Sequence, residues 1–216
     1  MFTGIIQEIG SVSAVRKAGG GIHVSVRAPE TARELSVDES VSLNGVCQTV
    51  IRKRGSVFTV EAVEETLSKT TMGMLTVSSR LNLELPVRLH DRLGGHLVQG
   101  HVDCVGNIES VAKKASSWLI TVRYPKEFDR YVIPVGSVAI DGISLTVAAT
   151  TPGRLTVSII PHTLEKTTLG SAKVNGKVNL EFDLIGKYIE KMMRGERNEG
   201  ENKAALTEER LRQWGY

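Results

Sequence analysis

Cysteine is scarce in this chain. Among 216 residues only Cys47 and Cys104 carry thiols, and they stand far apart. Two distant cysteines outside any C-x-x-C pair argue against a disulfide framework. Aromatic residues are also few, at 5%, so a nucleic-acid-binding barrel of OB type would lack its stacking platforms. Neither sign of charge is in excess: 27 basic against 24 acidic residues leave a net +3, too balanced to mark a polyanion partner. The densest basic cluster, Arg52-Lys53-Arg54, precedes Gly55 at an expected strand-to-strand turn, where exposed charge is ordinary. No apolar run approaches the roughly 20 residues that span a membrane, and Met1–Gly10 lacks the pattern of a secretory leader. The five histidines, His23, His90, His96, His101 and His162, show no metal-ligand spacing. The expectation is a soluble cytoplasmic protein with no metal, no organic cofactor, no nucleic acid and no membrane partner.

What the chain does have is a repeat. Met1-Phe-Thr-Gly-Ile-Ile-Gln7 aligns with Leu97-Val-Gln-Gly-His-Val-Asp103, and Ser40–Val50 aligns with Ser137–Val147. Thr66-Leu-Ser-Lys-Thr-Thr-Met-Gly73 aligns with Thr163-Leu-Glu-Lys-Thr-Thr-Leu-Gly170, and Leu81-Asn-Leu-Glu84 with Val178-Asn-Leu-Glu181. Four matches in one order at a nearly constant offset establish an internal duplication, and a repeat decides the fold.

Each half consists of short strands. Ile22–Arg27, Val57–Glu61 and Trp118–Arg123 alternate or run apolar with β-branched residues, and Gly-rich or charged turns separate the strands. Asn44-Gly45 and Asp141-Gly142 mark tight turns needing positive φ, which Gly adopts freely and Asn or Asp tolerates. Thr66–Gly73 and Thr163–Gly170 suggest short helices, with a Thr to cap each start and a Gly to end it. Two six-stranded β-barrels are predicted, because closure removes the exposed edges of an open sheet. Their boundaries fall at residues 1–96 and 97–186, leaving 187–216 as a C-terminal helix and tail. From Leu184 onward the pattern turns helical, with Leu184, Tyr188 and Met192 on one stripe of about ten residues. The polar stretch Arg194–Lys203 is expected to be mobile, with a last helix beginning at Thr207.

The two halves carry different reactive groups. After each tight turn a strand alternates its faces, so Cys47 and Thr49 share one side, as do Ser144 and Thr146. Small polar side chains on one face suit a pocket mouth, although a buried Cys beside a β-favouring Thr would look the same. Where the first half has Cys47 the second has Ser144; where the second has His101 the first has Ile5. A thiolate is the stronger nucleophile, and imidazole the natural proton carrier near neutrality. In Gly94-Gly-His-Leu-Val-Gln-Gly-His101 the spacing excludes a phosphate loop. His96 and His101 by themselves suggest no more than two unrelated surface histidines.

Taken together, Met1-Phe-Thr-Gly-Ile5, Asn44-Gly-Val-Cys47, Glu65-Thr-Leu67, Gly94–His101, Asp141-Gly-Ile-Ser-Leu-Thr-Val147 and Val178-Asn-Leu-Glu-Phe-Asp183 resemble the riboflavin synthases over nearly the whole chain. The resemblance implies a mainly β fold of two tandem Greek-key barrels with a C-terminal α-helix. It implies a homotrimer held by that helix, in association with lumazine synthase in some settings. It further implies that two molecules of 6,7-dimethyl-8-ribityllumazine exchange a four-carbon unit, giving riboflavin and a pyrimidinedione. The active site would form between the first barrel of one subunit and the second barrel of a neighbour.

By the same resemblance, Cys47, Ser40 and His101 match catalytic positions of the first barrel, and Ser144, Thr146 and Asp183 those of the second. The substrate-binding segments would be Gly4, Ile5 and Ile6; Cys47, Gln48 and Thr49; and Glu61, Ala62, Val63, Glu64, Glu65 and Thr66. In the second half they would be Gly100, His101 and Val102; Val135; Ser144, Leu145 and Thr146; and Ile160, Pro161, His162, Thr163, Leu164 and Glu165. Two positions depart from the family's pattern. Val135 stands where Lys is common, and Gln48 where Leu is common. If Gln48 is buried it needs a hydrogen-bond partner. The competing reading is a lumazine or flavin carrier of the same fold, which would bind without turnover. Retention of Cys47, His101, Ser144, Thr146 and Asp183 disfavours it.

Overall fold

The computed structural model describes residues 1–203 and residue 212. They fall into two units, one of Met1–Asp183 and another beginning at Leu184. The first unit contains both barrels. In the first barrel the strands are β1 (Glu8–Ala18), β2 (Gly21–Arg27), β3 (Ser40–Leu43), β4 (Val46–Arg54), β5 (Val57–Ala62) and β6 (Arg80–Glu84), with helices α1 (Pro29–Glu34) and α2 (Glu64–Lys69) between them. The second barrel repeats the plan with β7 (Cys104–Lys113), β8 (Trp118–Arg123), β9 (Ser137–Ile140), β10 (Ile143–Thr151), β11 (Arg154–Ile159) and β12 (Lys177–Phe182), and helix α3 (Pro161–Lys166).

Both barrels close in the same antiparallel order. The first runs β1-β2-β5-β4-β3-β6, and the second β7-β8-β11-β10-β9-β12. Closure needs sharply bent strands, and β-bulges supply the bends. They lie at Val12/Ala14 and Val50/Arg52, and at the equivalent Ile108/Ser110 and Val147/Ala149. Strand alternation fills each interior: Val24, Val26, Val41, Phe58, Val60 and Leu83 in the first, Ile120, Val122, Ile140, Leu155, Val157 and Leu180 in the second. Gln48 is the exception. Its side chain is buried; Nε2 donates to the Cys47 carbonyl at 2.7 Å, and Oε1 has no partner among the described residues. Leu145 holds the equivalent place in the second barrel, packed against that core.

The expected tight turns form as the residue types require. Asn44 and Gly45 have φ of 46° and 76°, Asp141 and Gly142 of 47° and 78°. Across the junction between barrels these turns abut. A Cβ on Gly45 would lie 2.6 Å from the Gly142 nitrogen, and one on Gly142 would lie 2.7 Å from the Gly45 nitrogen. Two buried asparagines stitch the same junction reciprocally. Asn82 Nδ2 donates to the Asp141 carbonyl, and Asn82 Oδ1 accepts from Thr168 N. Asn179 Nδ2 donates to the Asn44 carbonyl, and Asn179 Oδ1 accepts from Thr71 N.

Two local expectations change. Helix α2 begins at Glu64 and α3 at Pro161, two residues before Thr66 and Thr163, with Val63 and Ile160 at the caps. Each Thr lies inside its helix, and its carbonyl accepts from a later hydroxyl, Thr70 Oγ1 or Thr167 Oγ1, at 2.7 Å. The second unit opens with helix α4, Leu184–Lys203, which continues straight through the polar stretch expected to be mobile. Arg, Glu and Lys are good helix formers, and once the first turns exist each added residue gains a backbone hydrogen bond. This offsets Gly195 and Gly200. The helix expected from Thr207 lies outside the described residues.

The abutting turns make a paired prediction. Gly55 has φ of 58° and open space around it, whereas Gly142 has both positive φ and the Gly45 backbone against it. Gly55→Ala should cost only the left-handed backbone term, about 1–2 kcal/mol. Gly142→Ala should cost clearly more, seen as a larger drop in the denaturation midpoint; equal losses would mean the junction tolerates a methyl group. A second prediction concerns Asp141, whose carboxyl is pushed up to about 7 by burial, against a lowering hydrogen bond from the Asn179 backbone. A raised folded-state pKa means the protonated form is preferred in the fold. That stability is complete below the ordinary value of 3.8 and is lost as pH rises to about 7. Asp141→Asn, the residue type at the equivalent Asn44, should therefore be more stable than the parent at pH 8 and lose the advantage by pH 4, read from unfolding midpoints.

Candidate functional site

The segments ahead of β1 and β7 do not stay on their own barrels. The leading segment of the first repeat lies along the second barrel, where Ser144 N donates to the Gly4 carbonyl at 2.8 Å. The leading segment of the second repeat lies along the first barrel, where Cys47 N donates to the Gly100 carbonyl at 2.8 Å. Gly4 and Gly100 sit at φ of 76° and 81°, and a Cβ on either would fall 2.6 Å from the Cβ of Ser144 or Cys47. Glycine at these two places is what permits the crossing. Phe2 and Val98 form an isolated bridge where the segments pass, and with Ala139 and Cys47 they make a small apolar cluster.

A buried carboxylate anchors each crossing segment. Glu84 accepts from Thr3 N and Thr3 Oγ1 at 2.7 Å and from Gly4 N at 3.0 Å. Glu181 accepts from Gln99 N at 2.6 Å and from Gly100 N and His101 N at 2.9 Å. Burial pushes the Glu84 carboxyl above its ordinary value, and the hydrogen bonds from Thr3 and Gly4 oppose that push. Backbone N–H groups converging on a carboxylate are strong, directional clamps.

This crossing decides which predicted residues meet. Gly100, His101 and Val102 run beside Cys47 and Thr49 on β4, with Ser40 paired to Thr49 across β3. Gly4, Ile5 and Ile6 run beside Ser144, Leu145 and Thr146 on β10, and Ile6 packs against the second core. Cys47 and His101, which belong to different repeats, thus serve one barrel. On the other, Ser144 has Ile5 in the place corresponding to His101. Cys47 and Ser144 are half-buried, while His101, Ile5, Thr49 and Thr146 are exposed. Glu61 is the next-to-last residue of β5, its Oε1 3.5 Å from His23 Nε2. Glu64, Glu65 and Thr66 form the first turn of α2, and Pro161, His162 and Thr163 that of α3, with Val63 and Ile160 exposed just before them. Val135 is exposed at φ 62°, an unusual backbone for a β-branched residue, where the first repeat has Asp38 at 71°. Among the described residues no group of three His, Cys, Asp or Glu could hold a metal ion.

His96 departs furthest from expectation. Far from being a surface residue, it is 8% exposed, and its Nδ1 lies 2.7 Å from Ser144 Oγ. Burial lowers its pKa, while the nearby Asp183 charge acts in the opposite direction. Glu84, Glu181, Asn82 and Asn179 were also overlooked as organisers of the site. A signal existed, since the Asn-Leu-Glu run occurs in both repeats, and an acid on a strand otherwise apolar needs a partner.

The comparisons agree with this architecture. A family model described as "Lumazine binding domain" matches residues 3–86 and again 99–183. The chain is 38% identical to "Riboflavin synthase" of Actinobacillus pleuropneumoniae over the full length of both. It is 40% identical to "Riboflavin synthase" of Mycobacterium tuberculosis over 90% of this chain and 98% of the other, and 32% identical to that of Bacillus subtilis over all of both. Among solved structures, LumP complexed with riboflavin has the same fold, with a TM-score of 0.79 over 84% of this chain and 99% of the other at 20% identity.

The anchoring carboxylates can be tested apart from any activity. Glu181→Gln keeps one acceptor oxygen for three backbone donors. The amides of Gly100 and His101 should then exchange with solvent at least about tenfold faster, while those within β8 and β11 stay as protected as before. Unchanged exchange at Gly100 would show that the strand contact to Cys47 holds the segment alone.

Proposed function

The chain belongs to the riboflavin synthase family, and from that premise we propose how its two unequal barrels share the reaction. As an enzyme of this family it converts two molecules of 6,7-dimethyl-8-ribityllumazine into riboflavin and 5-amino-6-(ribitylamino)uracil. A four-carbon unit passes from one lumazine, the donor, to the other, the acceptor. The two substrates are identical, yet one must give up what the other receives. The protein must therefore treat them differently, and the observation that carries this reading is the crossing of the leading segments. It joins Cys47 with His101 on one barrel and leaves Ser144, with Asp183 in electrostatic reach of His96, to the other.

On this reading the first barrel takes the acceptor lumazine. Its ring lies along Cys47, Gln48 and Thr49, opposite Gly100, His101 and Val102, with Glu61–Thr66 at its rim. Cys47 adds to the ring or directs a water to it, His101 carries the proton, and Ser40 supports that face. The second barrel takes the donor lumazine along Ser144, Leu145 and Thr146, opposite Gly4, Ile5 and Ile6, with Val135 and Ile160–Glu165 at its rim. Ser144, Thr146 and Asp183 attend removal of a ring-methyl proton. Gln48 belongs to this set through its backbone, because its side chain points into the core.

We further read the protein as a cytoplasmic homotrimer. Ile185, Tyr188, Ile189, Met192 and Met193 are exposed on α4 and give it an apolar surface suited to packing against other copies. Each active site would pair the first barrel of one subunit with the second barrel of another, and association with lumazine synthase would place the enzyme beside the source of its substrate. The barrels are taken as residues 1–96 and 97–186, with 187–216 serving assembly.

Incubation of the purified chain with 6,7-dimethyl-8-ribityllumazine should produce flavin absorbance without added metal or cofactor and undiminished by chelator. Tight binding with no flavin after long incubation would leave a carrier instead. Cys47→Ser should lower turnover by at least about tenfold while ligand affinity stays within a few-fold, because Ser keeps the size but loses thiolate nucleophilicity. His101→Gln should lower it too, most at the pH extremes. Wild-type turnover in both variants would remove these two residues from the chemistry.

A further inference from the structure

The barrel that lacks the His101 equivalent has an imidazole from another direction. His96 follows Gly94-Gly95, and its backbone N donates to the Thr3 carbonyl at 3.2 Å, so it rides on the same segment that meets β10. A Cβ on Gly95 would fall 2.8 Å from Ser144 Oγ and 2.7 Å from Ser144 Cβ. Only a residue without a side chain lets the chain bring the His96 ring against Ser144. Ser144 is thereby held at two points, its backbone N by the Gly4 carbonyl and its hydroxyl by His96 Nδ1. The Cys47 thiol, its counterpart in the first barrel, has no hydrogen bond among the described residues.

We propose that His96 is the positioning residue for Ser144, its Nδ1–H donating to Ser144 Oγ and thereby turning the serine hydroxyl hydrogen toward the ligand of the second barrel. The tautomer follows from the other ring nitrogen. Nε2 is buried without a partner among the described residues, and a bare acceptor is tolerated there at lower cost than a buried N–H with nothing to donate to. The lowered pKa of the buried ring agrees with a neutral imidazole carrying a single hydrogen. With its oxygen occupied by the His96 donor, the hydroxyl has one free hydrogen to offer. Ser144 becomes a directed donor for a ring carbonyl or ring nitrogen of the pteridine. In the first barrel Cys47 is left free to act through sulfur. The imidazole thus extends the division between the barrels beyond the Cys/Ser difference.

The proposal rests on the reading that Ser144 faces the donor lumazine, and the test separates the two. Four variants of the full chain are assayed with 6,7-dimethyl-8-ribityllumazine: His96→Phe, His96→Asn, Ser144→Ala and the His96→Phe/Ser144→Ala pair. Should His96→Phe fail to fold by its thermal midpoint, His96→Leu replaces it. His96→Phe fills the ring's space without a donor and should lower kcat about tenfold. His96→Asn, whose amide N–H reaches to the Nδ1 position, should restore kcat to within about threefold of the parent, a rescue that a packing role would not give. The double variant should be no slower than Ser144→Ala alone, because both changes remove one interaction. Wild-type kcat in His96→Phe, no rescue by Asn, or multiplied losses in the double variant would overturn the positioning role while leaving Ser144 in the site. Wild-type turnover in Ser144→Ala would instead overturn the reading of the site, and the positioning role with it.

Discussion

At the junction between the barrels the Gly45 and Gly142 turns press together where neither has space for a Cβ. Such a contact cannot slide. The two backbones meet at atomic distance, and Asn82 and Asn179 each bond a turn carbonyl and a backbone N–H across the same boundary. A buried amide left without these partners would cost on the order of 1–3 kcal/mol, so the relative placement of the barrels is over-determined. Fixed barrels are the condition for everything built between them.

The crossing segments are the first thing that depends on it. Each spans from its own barrel, where Glu84 or Glu181 grips its backbone, to the far barrel, where Gly4 or Gly100 meets a strand. A shift of one barrel by even an ångström would pull these hydrogen bonds out of range. Through them the asymmetry of the repeats is recombined. Cys47 of the first repeat gains His101 of the second, and Ser144 of the second gains Ile5 of the first together with His96. On the proposed reading, unequal environments for two identical molecules arise from a nearly symmetric frame.

Much of this was legible in the residues. The duplication, the closed barrels and the Asn-Gly and Asp-Gly turns follow from local pattern, because strand alternation and positive-φ turns leave marks at fixed spacing. The crossing left no such mark, since Gly4 and Gly100 look like any turn glycines until their neighbours are known. His96 was misjudged for the same reason. Its burial comes from Gly95 and Ser144, which are 49 positions apart in the chain. The helical state of Arg194–Lys203 was missed differently: a polar composition argues against a packed core, not against a helix that continues one already begun. Gln48 was flagged correctly as needing a partner, and the structure satisfies its nitrogen but not its oxygen.

The exchange of leading segments also bears on how such a molecule can change over generations. On the proposed reading the stretch of chain that was copied is not the stretch that recognises a ring, because each surface beside Cys47 or Ser144 draws on both copies. A substitution at Gly4 or Ile5 is inherited with the first repeat but felt at the second barrel, and one at His101 the reverse. Neither copy can drift toward a new ligand alone, and a compensating change is to be sought in the other copy: at Ser144, 140 positions from Gly4, or at Cys47, 54 positions from His101. The duplication doubled the sites and, by the same crossing, bound their futures together.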